Sequence, residues 1–228
     1  MRVINKDAMQ RLAALGLAVG LTVGFVTAGI AQTVSGRAYG AYANTPLGSV
    51  SQSPLAVLPA VSGTDGDIAT AQADALGAGS ALSSDFLNSM TSGAIGTAEA
   101  GAQSVASVGN INILGGVITA NGVIAAVTSS RTASGAVSNA NGSSFQDLVV
   151  AGVPVTTGDA AVAPNTQMSL PGVGYVVLNE QIPTGDGVTS SGLTVNMIHV
   201  YLQSVGGLLG GLTTTGEIIV GSASSAVR

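Results

Sequence analysis

Residues Asn165–Leu202 read NTQMSLPGVGYVVLNEQIPTGDGVTSSGLTVNMIHVYL. Two runs, Val173–Leu178 and Leu193–Leu202, are rich in Val, Ile, Leu and Tyr, and Pro183–Ser191 between them is Gly, Asp and Ser. Strand-forming residues bounded by turn formers predict two paired strands. Strict alternation puts Leu193, Val195, Met197, His199 and Tyr201 on one face of the second strand, and Thr194, Asn196, Ile198, Val200 and Leu202 on the other. His199, the only histidine of the chain, is therefore expected on an apolar face, as a hydrogen-bonded core or interface residue.

Downstream, Gly206–Gly211 is a break and Glu217–Val227 a closing strand. Upstream, Phe145–Val153 is a strand ended by Pro154, preceded by a Ser/Asn/Gly loop at Arg131–Ser144. Gln103–Val127 is strongly β-branched and interrupted by Gly115-Gly116, which signals a hairpin. Thr64–Ala102 is the least strand-like part, and its Ala-rich pieces around Ile68–Gly79 and Ser84–Met90 suggest short helical turns or irregular loops. Thr45–Val61 carries Pro46, Pro54 and Pro59, which suit an edge strand. Ser35–Ala43 is the first strand. Seven to nine short strands predict an all-β fold, a single β-sandwich or jelly-roll-like domain over residues 32–228. A β-solenoid is the alternative, although no fixed repeat period is present.

Composition narrows the function. Charged residues are only 7% of the 228, against roughly 25% in ordinary globular chains. Residues 32–228 keep Arg37, Arg131 and Arg228 against ten acids, 3 − 10 = −7, with no lysine. Nucleic acid is excluded as a partner, because phosphate neutralisation needs a basic surface. The absence of cysteine excludes disulfides, thiol catalysis, Cys-ligated metals and a lipidated anchor. Residues 1–31 read as a signal peptide. Arg2, Lys6 and Arg11 precede the uncharged Leu12–Ile30, and Ala28 and Ala31 suit a cleavage site. The run is also long enough to span a bilayer if uncleaved, which is the one membrane contact expected.

Candidate sites are few. Asp65, Asp67 and Asp74 are acids at close spacing and weak calcium candidates, since the rest of a coordination loop is missing; a solvated turn is the preferred reading. Asn179, Glu180, Asp186 and His199 form a candidate polar cluster. Glu180 and Asp186 are the acids of a conceivable carboxylate pair, with a strand-end cluster the preferred reading. His199 has no serine in a Gly-x-Ser-x-Gly turn to serve. No Gly-rich phosphate loop is present, so no cofactor is expected and no residue is assigned to catalysis.

SGRAYGAYAN, VGNINILGGVITANGVIAAV, FQDLVVAGVPV, PNTQMSLPGVGYVVLNEQ, SGLTVNMIHVYL and GEIIVGSASSAV, in that order, resemble the bacterial choice-of-anchor P family of exported proteins. PNTQMSLPG, VVLNEQ and LTVNMIHV carry most of the likeness. The resemblance implies a secreted or cell-surface domain tethered differently from member to member, with no catalytic residues to transfer. This chain shows no Leu-Pro-x-Thr-Gly sorting signal and no C-terminal apolar span with a basic tail, which favours release or retention by association. The expectation is a non-enzymatic structural or adhesive protein. Its partners would be copies of itself, joined by strand addition with Gln32–Ala43 or Glu217–Val227 as donor, or other extracellular surface components. A glycan- or ligand-binding module is the alternative, and a hydrolase ranks below both.

Overall fold

The structure is a computed structural model that describes residues 32–61, 66–206 and 211–228. It is all-β, with two large antiparallel sheets and no helix among the described residues. The strands are β1 (Val34–Thr45), β2 (Gly48–Val61), β3 (Asp67–Ala78), β4 (Leu82–Ile95), β5 (Ala100–Ile113), β6 (Ile118–Thr132), β7 (Gly135–Asn139), β8 (Ser144–Gln146), β9 (Val149–Val150), β10 (Val153–Pro154), β11 (Asp159–Ala160), β12 (Thr166–Leu170), β13 (Gly174–Gly185), β14 (Ser191–Gly206) and β15 (Gly211–Val227). Sheet A runs β12-β13-β14-β15-β1-β2, and sheet B runs β10-β9-β6-β5-β4-β3 with β7, β8 and β11 at its margin. Sheet B is thus the middle of the chain and sheet A its two ends, packed face to face as a sandwich. Every pairing is antiparallel, which removes the solenoid alternative.

The core between the sheets is built from small aliphatic residues, with Phe145 its one fully buried aromatic ring among the described residues. Hydroxyls join the sheets at one end. Ser129 on β6 and Ser225 on β15 lie Oγ to Oγ at 2.7 Å, and Ser104 Oγ donates to the Ser224 carbonyl at 2.6 Å. This seam separates the main core from a smaller cluster around Val34, Leu58 and Val227. The buried hydroxyls of this seam are tolerated because each has a partner.

Several expectations are corrected. Of the Thr64–Ala102 stretch, the described residues 66–102 are not irregular: β3 and β4 form a long hairpin paired from Asp67↔Gly93 to Ala78↔Leu82, and residues 64 and 65 lie outside the described residues. Alanine and serine are poor strand formers in isolation, but pairing against β5 overrides propensity. Phe145–Val153 is not one strand; Asp147 (φ 49°) and Ala151 (φ 50°) break it into β8, β9 and β10. The Arg131–Ser144 loop contains β7. The strands are more numerous and several are longer than expected, with β15 reaching 17 residues. The proposed donor segments are not free: β1 lies between β15 and β2, and β15 between β14 and β1.

A less obvious feature sets the faces of the sheets. In β14 the buried core residues are Leu193, Val195 and Met197, then Ile198, Val200 and Leu202. The alternation switches parity at Met197. In register with Met197 stand Asn179 on β13 (φ 49°) and Gly221 on β15 (φ 67°), and beyond Gly221 stand Gly40 on β1 and Pro54 on β2. A left-handed residue does not continue the pleat, so the side chain after it does not take the face that alternation assigns. Gly221 has no room for a side chain: a Cβ would lie 2.8 Å from Val123 Cγ1, and one on Gly40 would lie 2.6 Å from Leu87 Cδ2. Sheet B has its own switching row at the facing position, through Phe86 (φ 54°), Asn110 (φ 49°), Asn121 and Asp147.

Candidate functional site

The switch at Met197 decides where the histidine goes. Strict alternation would place His199 with Val195 and Met197. Instead it lies on the outer face of sheet A, with Asn196 and Tyr201. It is hydrogen-bonded, as expected, but it is not in the apolar core.

His199 sits on the central strand β14 with a carboxylate on each side. Its Nδ1 is 2.7 Å from Glu180 Oε2 on β13, and its Nε2 is 3.2 Å from Glu217 Oε2 on β15. A carboxylate only accepts, so satisfying both contacts requires both ring nitrogens to donate, as in the imidazolium. Glu180 also accepts from Asn196 Nδ2 at 2.7 Å and from the Tyr201 hydroxyl at 3.0 Å. Asn196 is held in turn by Ser222 Oγ, which donates to its Oδ1 at 2.8 Å. The imidazole stacks on Tyr201 with ring centroids 4.0 Å apart, and Tyr201 stacks on Tyr175 at 4.7 Å.

The electrostatics follow from this packing. Burial opposes the charge on Glu180, but the hydrogen bonds from His199, Asn196 and Tyr201, with the attraction of His199, outweigh it and hold the carboxyl at about 2. Burial, and the Glu180 carboxylate that its hydroxyl meets, raise Tyr201 above the usual phenol range. Burial likewise raises Tyr39, which bonds Ser222 and lies near Gln52 and Arg37 on the same face. Arg37 in turn donates to Gln52 Oε1. The polar row thus runs from Glu180 through Asn196, Ser222 and Tyr39 to Gln52, across all five strands from β13 to β2.

Of the four residues singled out from sequence, the structure unites Glu180 and His199 and sends the others elsewhere. Asn179 is inside β13 rather than at a strand end. Its left-handed backbone makes the switch, and its Nδ2 donates to the Val162 carbonyl at 2.7 Å. Asp186 closes the β13–β14 turn. Its Oδ1 accepts from the backbone N–H groups of Val188, Thr189 and Ser190 at 2.9, 2.8 and 2.9 Å, and its Oδ2 from Thr189 Oγ1 at 2.6 Å. Those donors push its carboxyl well below the usual range. Glu180 and Asp186 face different donors and form no carboxylate pair.

The calcium candidates also separate. Asp67 and Asp74 are exposed and seven residues apart on β3, about 23 Å at the rise of a strand, and Asp65 lies outside the described residues. No group of three metal-ligating side chains occurs among the described residues.

The residues that sequence reasoning did not join to the cluster are Glu217, Asn196, Ser222 and Tyr175. Glu217 carried a signal, being one of three glutamates in residues 32–228, but its partner is 18 positions away. Two clefts lie at opposite ends of the sandwich. One of about 260 Å³ is lined by Thr33, Ser191 and Arg228, and one of about 510 Å³ by Leu47, Leu114, Val173 and Leu202. Neither reaches His199. Chemically the cluster is closed, since both ring nitrogens and both Glu180 oxygens are occupied and no serine is bonded to the imidazole. No protein-family model, curated protein or solved structure matches the chain.

Proposed function

We propose that this is an exported, non-enzymatic structural or adhesive protein of the bacterial cell surface or extracellular matrix, working through the outer face of sheet A. The observation that carries the reading is the distribution of aromatic groups. All four tyrosines of the chain (Tyr39, Tyr42, Tyr175 and Tyr201) belong to sheet A strands and alternate with core residues, so they share its outer face with the only histidine. Tyr39 is buried within the polar row, while the half-exposed Tyr42, Tyr175 and Tyr201 offer amphipathic contact area at low entropic cost. A polar network already satisfied internally holds such a face rigid and leaves no reactive group in need of a substrate. Export rests on the basic and apolar pattern of residues 1–31, which lie outside the described residues, and the resemblance to choice-of-anchor P proteins agrees with it.

The test is protease shaving of intact cells expressing the full-length chain, combined with an attachment assay. The reading expects the protein to be cleaved on intact cells, and Tyr42→Ala with Tyr175→Ala to reduce attachment or matrix retention. A protein shielded from protease until lysis would contradict it. A second reading, a glycan-binding module, is favoured by the stack of Tyr175, Tyr201 and His199, since half-exposed tyrosine edges beside fixed polar groups suit a sugar. A glycan array separates the two: saturable binding lost in Tyr175→Ala would select the module. Asp67 and Asp74, seven residues apart on β3, lie too far from each other to share an ion.

A further inference from the structure

We infer that β3 is an open pairing edge that takes β3 of a second copy, joining two sandwiches about a two-fold axis. The inference names the partner for the surface role proposed above and rests on that reading only for its setting, since the pairing itself needs no particular compartment.

The sheet edges differ in how they are protected. An unpaired edge strand presents a row of backbone N–H and C=O groups, and natural sheets blunt such edges with prolines, bulges, lysines or shortness. Sheet A ends on one side in β12, only five residues long. It ends on the other in β2, which is long but carries Pro54 and Pro59 and pairs with β1 through two register shifts. Sheet B ends on one side in β9 and β10, two residues each. Its other end is β3, twelve residues without proline, lysine or glycine until Gly77, paired with β4 without a register shift. Its residues alternate between exposed and half-buried over most of Asp67–Gly77, and only its end at Ala78 is covered, by the β1–β2 turn at Leu47 and Gly48. Among the described strands β3 is the one long edge that none of these devices protects, apart from its acids Asp67 and Asp74.

The occupant follows from the same comparison. The chain's other long strands are committed on both sides or blunted, so the complementary free edge is β3 itself. Antiparallel self-pairing centred on Thr70 sets Ala69 opposite Ala71, Ile68 opposite Gln72 and Asp67 opposite Ala73. No aspartate then faces an aspartate, and like charges directly opposite are the arrangement that destabilises a pair. Ile68, 57% exposed, gains a partner. Because the other edges are blunted, the association closes as an isologous pair instead of growing into a filament.

The chain has no cysteine, so single cysteines report cleanly. Directly opposed residues of an antiparallel pair lie roughly 5 Å apart, within disulfide reach. Full-length protein carrying Thr70→Cys is oxidised and run on a non-reducing gel. Pairing predicts a shift from the 22.0 kDa chain to twice that mass, and none for Asn112→Cys, an exposed position on the central strand β5. Ile68→Cys and Gln72→Cys should each stay single alone and cross-link when mixed. Equal cross-linking at positions 70 and 112, or none at 70 and none in the mixture, overturns the inference. Either result leaves the protease-shaving test of surface exposure untouched.

Discussion

Both sheets change the parity of their side chains along a transverse row, but they pass through it with different chemistry. In sheet A the row is Asn179, Met197, Gly221, Gly40 and Pro54, and it borders the network of Glu180, His199 and Tyr201. In sheet B the row is Phe86, Asn110, Asn121 and Asp147. Its polar side chains bond at an exposed surface, Asn121 Nδ2 to Asp147 Oδ2 at 2.8 Å within the row and Asn110 Nδ2 to the adjoining Asp85 Oδ2 at 3.3 Å. The same backbone device therefore serves two ends. Sheet B only has to turn its pleat. Sheet A turns its pleat and thereby moves a histidine and a tyrosine from the core side to the outer face, where the histidine stays buried among its partners. Buried or half-buried polar groups have more to lose than exposed ones, so the two rows should respond differently to mutation.

The largest effect is expected at Gly221, where the row of sheet A presses on Val123 of sheet B. Gly221→Val adds left-handed strain for a β-branched residue and a collision with Val123, and should cost about 3 kcal/mol or more. A urea midpoint that does not fall would show that the row can relax. Next comes Glu180→Ala, which leaves the Asn196 amide, the Tyr201 hydroxyl and a histidine nitrogen without their acceptor. A loss of about 2 kcal/mol is expected in the same assay. The two asparagines that hold left-handed backbone make a finer contrast. Asn179→Gly relieves backbone strain but removes the bond to Val162, for a net loss of about 1 kcal/mol. Asn110→Gly removes only an exposed contact and should be neutral within about 0.5 kcal/mol. Equal losses at the two positions would erase the distinction.

The smallest effect is in pH. Glu180 is held at about 2 from an ordinary 4.5. A carboxyl depressed by folding stabilises the fold above its unfolded value, and that contribution is lost as pH falls through the folded one. Stability should therefore decline between about pH 4.5 and 2, and Glu180→Gln should flatten that limb. An unchanged acid limb in the variant would place the titration elsewhere.

The sequence made some of this readable and hid the rest for physical reasons. The Gly115-Gly116 turn, the edge position of β2 with its prolines, the β13–β14 pair and the closing strand follow from turn chemistry and β-branched runs that act locally. The β3–β4 hairpin was hidden because Ala, Ser and Asp say little about strands until a neighbour such as β5 is in place. The true face of His199 was hidden more deeply. Alternation is a rule of regular pleat, and β14 itself carries no left-handed residue at the switch; the residues that mark the row, Asn179 on β13 and Gly221 on β15, lie 20 and 22 positions from His199. His199 and Glu180 stood out by scarcity; that Glu217 completes the clamp depends on strand order, which periodicity does not encode.

The central claim is that the switch at Met197 brings His199 out to a closed clamp between Glu180 and Glu217. With one histidine in the chain, selective ¹⁵N labelling gives a single imidazole, and the decisive measurement is its long-range ¹H–¹⁵N spectrum at pH 6. Two ring N–H resonances protected from solvent exchange, one of them lost in Glu180→Gln and the other in Glu217→Gln, are predicted. A ring with no observable N–H, or with resonances indifferent to both substitutions, would contradict the clamp and the face assignment on which it stands.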